Sequence, residues 1–202
     1  MAAGLTLFGA GIGCGGSSSN STASFGLPGG RATAAQVAQG RYLVVSSGCG
    51  DCHSQGGSDP SSPTWLSGYR GGNGPGIFQL GPTTTVYAAN ISPDNATGIG
   101  ALSDQSIFNV LRYGWDPASP PNAGAAQHYV APIMPWASFR HKTDAELWAI
   151  VAYLKHGAGA VSNAVPETVG APPDFWAGAS SEAAVGPLNV APYPAGVESF
   201  HP

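Results

Sequence analysis

Cys49-Gly50-Asp51-Cys52-His53 constrains this chain more than any other stretch. Two thiols three positions apart, with a histidine directly after the second, form the C-x-x-C-H run through which a c-type haem is attached. The thiols add across the porphyrin vinyl groups, and the histidine reaches the iron as proximal ligand. A chain with such a run must wrap a flat porphyrin, so its loops matter as much as its helices. Only three cysteines occur in 202 residues, and two of them lie here. The plainer reading is a structural disulfide or half of a zinc site. A zinc site of four cysteines, or of three cysteines and a histidine, would need more ligands than Cys14 can offer.

Composition agrees with a wrapped, loop-rich fold. Thirty glycines and 18 prolines accompany only 9% charged residues, which favours a small core over a large α/β enzyme. The length suits one domain with extensions. The formal charge of −4 is uneven. Between Gly40 and His156 acids and bases nearly balance, whereas beyond His156 there are four acids (Glu167, Asp174, Glu182, Glu198) and no Lys or Arg. Without clustered Lys and Arg, a nucleic-acid partner is not expected.

The apolar opening, Leu5 to Cys14, turns abruptly into a run of glycine and serine. It is too short to cross a bilayer as a helix. It resembles the end of a bacterial lipoprotein signal, with residues 1–13 as the signal remnant, Cys14 as the lipidated residue and 14–32 as anchor and flexible tether. The alternative is an ordinary free thiol. Covalent haem attachment separately argues for a periplasmic or extracytoplasmic protein, and lipidation of Cys14 would anchor it to the membrane.

Three helices are expected. Thr33 and Gln36 form a capping box opening the first, over 33–47, in which Gly40 makes sense if another helix crosses closely. Ser103 caps the second, Asp104 to Tyr113, with Ile107, Phe108 and Leu111 on one face. Thr143 and Glu146 form the capping box of the third, which runs to His156 and stops at Gly157. Residues 54–85 show no regular apolar period and many Gly and Pro. A loop this long suggests that it wraps something, with Trp65, Tyr69, Ile77, Phe78 and Leu80 buried against the haem faces. Thr83 to Tyr87 is expected to be briefly extended. Residues 159–202, rich in Pro, Gly and Ala, cannot build a core and either drape over the domain or contact a partner.

Met134, within Ala131-Pro132-Ile133-Met134-Pro135-Trp136, is the expected distal ligand, because the flanking prolines stiffen its loop. His128, His141 and His156 compete for that position, and His201 is a poor candidate. The propionates need hydrogen-bond donors. Arg112, Trp136 and Asn90 are the favoured ones, with Tyr87, Tyr113 and Arg70 as further possibilities.

In this order, the motifs resemble those of a class I monohaem c-type cytochrome, similar to the cytochrome c modules of bacterial membrane-associated dehydrogenases. The matching segments are Cys49–His53, Tyr87–Gly100, Leu102–Ser106, Pro132–Trp136 and Thr143–Leu147 continuing through Tyr153-Leu154. The resemblance implies an all-α, three-helix fold over 33–158 with Gly40 crossing Tyr153's helix, His53 proximal and Met134 distal on one covalent haem c. It also implies electron transfer, as a respiratory or dehydrogenase-linked carrier or subunit, with a membrane-associated redox complex or another electron-transfer protein as partner. A haem peroxidase or gas sensor with a displaceable distal ligand is one alternative, and a structural cytochrome subunit is another.

Overall fold

A computed structural model describes residues 31–118, 127–170 and 176–188. Cys14, His201 and the proposed lipid signal therefore lie outside the described residues. Three long helices carry the fold: α1 (Ala34–Ser46), α3 (Asp104–Tyr113) and α5 (Asp144–His156). Short helices α2 (Cys49–His53), α4 (Trp136–Phe139) and α6 (Glu182–Val185) lie between and beyond them, and a hairpin joins β1 (Ile77–Gln79) to β2 (Thr85–Tyr87). No helix among the described residues is long and apolar enough to cross a membrane.

The long helices start where local chemistry says they should. Thr33 and Thr143 each accept from the backbone N–H three positions on, while Gln36 and Glu146 reach back to the cap. Ser103 caps α3 alone, accepting from the N–H of Ser106. Such caps satisfy donors that the first helical turn leaves unpaired and are worth about 1 kcal/mol each.

The core is the crossing of α1 over α5. A Cβ on Gly40 would lie 1.9 Å from the carbonyl oxygen of Ala149 and 2.7 Å from Cβ of Tyr153, so the backbones meet where that side chain is missing. Val44, Leu147 and Val151 are fully buried around this contact. Trp65 joins the same core, its indole N–H donating to the Tyr153 hydroxyl at 2.9 Å. Lys155, at the end of α5, donates to the carbonyls of Gly100 (2.6 Å) and Leu102 (2.7 Å), pinning the 91–102 loop.

The loop over 54–85 differs from expectation in what it encloses. Trp65 and Leu66 belong to the helical core, and Tyr69 packs its ring against Tyr87 at 4.9 Å. Leu80 is exposed. The first strand of the β1–β2 pairing has no signal in the sequence, because three residues among Gly and Pro carry too little pattern. Residues 159–170 drape over the domain. Val161 and Asn163 bond to the loop between Ser67 and Thr97, and Val169 bridges to Thr85.

Gly40→Val should force α1 and α5 apart and cost about 3 kcal/mol, the upper range for overpacking a core. A guanidinium unfolding midpoint equal to wild type would show that the two helices do not abut there.

Candidate haem site

The site begins at a reversal of the chain. Gly48 takes the left-handed conformation (φ 70°), ending α1 and starting α2, which carries Cys49, Cys52 and His53 on a single turn. These three side chains form one wall of a cavity of about 430 Å³, within the range of small-molecule and cofactor sites. The other walls are mostly apolar. Phe78, Val86 and Tyr87 come from the hairpin, Ile91, Ile99 and Leu102 from the following loop, Ile107 and Leu111 from α3, and Ile150 and Leu154 from α5. Tyr129, Val130, Ala131, Ile133, Met134 and Pro135 complete the enclosure.

His53 is held by its far nitrogen. Nδ1 lies 2.7 Å from the carbonyl oxygen of Ala89. A carbonyl can only accept, so Nδ1 carries the proton and Nε2 keeps its lone pair for a metal. Burial holds the imidazole below the usual histidine pKa, against the opposing effect of the Ala89 bond, so the ring is neutral at pH 7. The neighbouring backbone is tied to the 68–69 turn: Tyr69 N–H donates to the Ala88 carbonyl at 2.9 Å, and Gly68 N–H donates to the His53 carbonyl at 2.8 Å. Gly68 has φ 76°, and a Cβ there would lie 2.6 Å from the Asn90 nitrogen. The glycine lets the loop pass against the segment that orients the histidine.

Burial holds both cysteines as neutral thiols. Burial pushes the Cys49 thiol up to about 11, partly offset by the nearby Lys142 charge, and burial also raises Cys52, with Asp51 adding to the rise. Neither is a thiolate at neutral pH. The two are not joined as a disulfide, and among the described residues no group of three His, Cys, Asp or Glu side chains could hold a metal ion. A paired-thiol wall, an oriented imidazole and an apolar enclosure fit a covalently attached porphyrin, which Cys49 and Cys52 would hold through thioether bonds and to which His53 would offer its Nε2.

Among the described histidines, only His53 lines this cavity. His141 lies instead on a separate, open depression of about 510 Å³ beside Trp136 and Val185, and His156 ends α5. The three favoured propionate donors are not brought to the cavity wall, and their chemistry is spent elsewhere. Asn90 donates to the Val161 carbonyl (2.8 Å) and Thr97 hydroxyl (3.1 Å) and accepts from Ser92 N–H (3.0 Å). Arg112 is buried, donating to the Arg140 carbonyl and pairing with Asp144, which ties α3 to the start of α5. Trp136 packs under Gly114, where an added Cβ would come within 2.3 Å of the indole, and carries the Arg140 guanidinium 5.8 Å from its ring. Of the further possibilities, Tyr87 lines the cavity, Arg70 is exposed, and Tyr113 is exposed and stacks on Trp115. Sequence reasoning misses several wall residues, and two lie beyond the domain it drew. Thr168 and Trp176 come from the extension, where no periodicity connects them to the domain.

The family model for cytochrome c matches residues 37–158, a span that holds the attachment turn, the methionine loop and all three long helices but for the first turn of α1. The chain belongs to the cytochrome c family. It is 31% identical to the gluconate 2-dehydrogenase cytochrome c subunit of Pantoea cypripedii over 134 residues, covering 66% of this chain and 26% of that protein. It is 30% identical to the cytochrome c subunit of the quinone-dependent alcohol dehydrogenase of Gluconacetobacter polyoxogenes over 151 residues, covering 70% of this chain and 28% of that protein. The fructose dehydrogenase cytochrome subunit of Gluconobacter japonicus is 26% identical over 132 residues, covering 65% and 23% respectively. The chain thus spans well under half the length of these curated relatives. It resembles the cytochrome subunits of these dehydrogenases. The Cys49–Cys52 spacing fits covalent haem c.

Asn90→Ala should destabilise the protein by about 1–3 kcal/mol, since it leaves buried partners unpaired, while the haem spectrum and midpoint potential stay as in wild type. A changed potential at unchanged stability would instead place Asn90 on the propionates.

Proposed function

We propose that this chain carries electrons through one low-spin haem c, ligated by His53 and Met134, on behalf of a membrane-associated dehydrogenase or related respiratory complex. The observation that carries the ligand assignment is that Met134 and His53 line the same cavity while the competing described histidines do not. Met134 sits in a braced turn: its N–H donates to Ala131 (2.9 Å), and Trp136 N–H donates to its carbonyl (2.8 Å), between Pro132 and Pro135. When bound, the haem supplies one-electron exchange between Fe(II) and Fe(III). The protein's part is to present a neutral imidazole from one wall and a soft thioether from another, and to exclude water between them. A thioether favours the reduced ion relative to a second imidazole and raises the potential.

With His53 and Met134 both holding the iron, no position would be left for a substrate, which favours a carrier over a peroxidase or gas sensor. The dehydrogenase partner is supported by the names of several relatives, among them the gluconate and fructose dehydrogenase cytochrome subunits. An extracytoplasmic location follows from the covalent haem chemistry, with Cys14 as the lipid-bearing residue that keeps the module near its complex. An acyl adduct in the intact mass tests that anchor.

Met134→Ala should abolish the iron–sulfur charge-transfer band, lower the midpoint potential and admit carbon monoxide to the reduced protein at neutral pH. An unchanged band and potential would rule Met134 out as ligand. Ready carbon monoxide binding by the wild type would favour the sensor or peroxidase reading.

A further inference from the structure

The extension after α5 does more than cover the surface. Val161 N–H donates to the Ser92 hydroxyl at 3.1 Å, and Asn163 N–H donates to the Thr97 hydroxyl at 2.8 Å. The Asn163 side-chain amide donates to two carbonyls at once, Ser67 and Tyr69, both at 2.8 Å. Further along, Val169 adds to the free edge of β2: Thr85 N–H donates to Val169 (3.1 Å), and Val169 N–H donates back to Thr85 (2.9 Å). Gly170 permits this approach. It has φ 81°, and a Cβ there would lie 2.0 Å from the Thr83 carbonyl oxygen.

That docking has a consequence at the cavity. Val86 and Tyr87 of β2 are cavity wall, so the extension pairs with the strand that encloses the site. Thr168, adjacent to the paired Val169, lines the cavity itself, as does Trp176. A segment that made contact only for stability would not need to place side chains there.

We infer that residues 161–170 act as a clasp that shuts one edge of the haem cavity against water and so holds the reduction potential up, with Thr168 as the side chain that meets the cofactor. The inference rests on the haem reading above. Its physical basis is that the ferric centre carries one more positive charge than the ferrous one. A drier, less polarisable surround disfavours that charge, and burial is one of the protein's levers on haem potential. Releasing the clasp lets water reach the cavity edge and stabilises the ferric form.

The test uses the full-length, haem-loaded protein carrying Asn163→Ala and Gly170→Val together, with Asn163→Ala alone as the milder variant. The first change removes two hydrogen bonds and the second adds bulk against Thr83. Amide exchange at Thr85 should become about thirtyfold faster in the double variant, as expected for opening a segment that has lost two hydrogen bonds. The midpoint potential should fall in the same variants, more in the double than in the single. Faster exchange at Thr85 with an unmoved potential would overturn the clasp as a redox device, and so would unchanged exchange. Intact mass separates the two levels: wild-type protein without a porphyrin adduct would overturn the haem reading and the clasp with it, whereas loaded variants at wild-type potential would overturn the clasp alone.

Discussion

The hydrogen bond from His53 Nδ1 to the Ala89 carbonyl is the contact on which the rest of the site depends. It fixes the ring's tautomer and its plane together, leaving one lone pair on Nε2 available to a metal. The same residue's backbone carbonyl accepts from Gly68, so His53 is gripped at both ends by the loop that crosses it. That loop is closed further by Ile91 N–H donating to Leu66 and by Leu66 N–H donating to the Ser54 hydroxyl. Leu66 is fully buried and adopts a left-handed backbone (φ 60°), a conformation that costs energy for a leucine and persists only where its surroundings demand it. The haem-attachment turn and the glycine-rich loop are one interlocked unit. This explains the loop's composition better than direct contact with a porphyrin face does.

How much can be read from residues alone follows from the range of the interactions. The long helices are legible because Thr33 with Gln36, Ser103, and Thr143 with Glu146 act within one turn of chain. The α1–α5 crossing is also legible, because a mid-helix glycine is costly unless a neighbour needs the space. The roles of Asn90 and Arg112 are not. Asn90 spends its amide on Val161, 71 positions away, and Arg112 spends its guanidinium on Arg140 and Asp144, 28 and 32 positions away. Propensity and periodicity carry no information over such distances. A polar side chain near a cofactor motif therefore reads as a cofactor donor until the competing partner is seen. The extension is opaque for the same reason: its order comes from Ser92, Thr97 and Thr85, not from any pattern of its own.

Those distant polar contacts share a function that local ones cannot supply. The cavity is assembled from segments far apart in sequence, and apolar packing alone is non-directional. Several of these segments are accordingly tied to another by a half-buried polar bond. Lys155 holds the 99–102 loop to α5, Arg112 holds α3 to the start of α5, and Asn163 holds the extension to the 67–69 loop. Hydrogen bonds to charged groups are among the stronger single contacts, about 1.5–3 kcal/mol, and they specify direction as well as proximity.

Directional ties of this kind suit one-electron exchange for a definite reason. A metal that changes charge without changing ligands reacts fastest when its surroundings do not rearrange, because dipoles already in place cost nothing to reorient. An imidazole fixed by Ala89 and a methionine loop braced by Pro132, Pro135 and two backbone hydrogen bonds leave both proposed axial groups little freedom to move between oxidation states. In a chain with only 9% charged residues, few charges are available for this work. Arg112 and Lys155 are spent on the frame rather than on the cofactor. Those two cations are thereby engaged in holding the walls together, while Lys142 is the positive charge that acts on the Cys49 thiol.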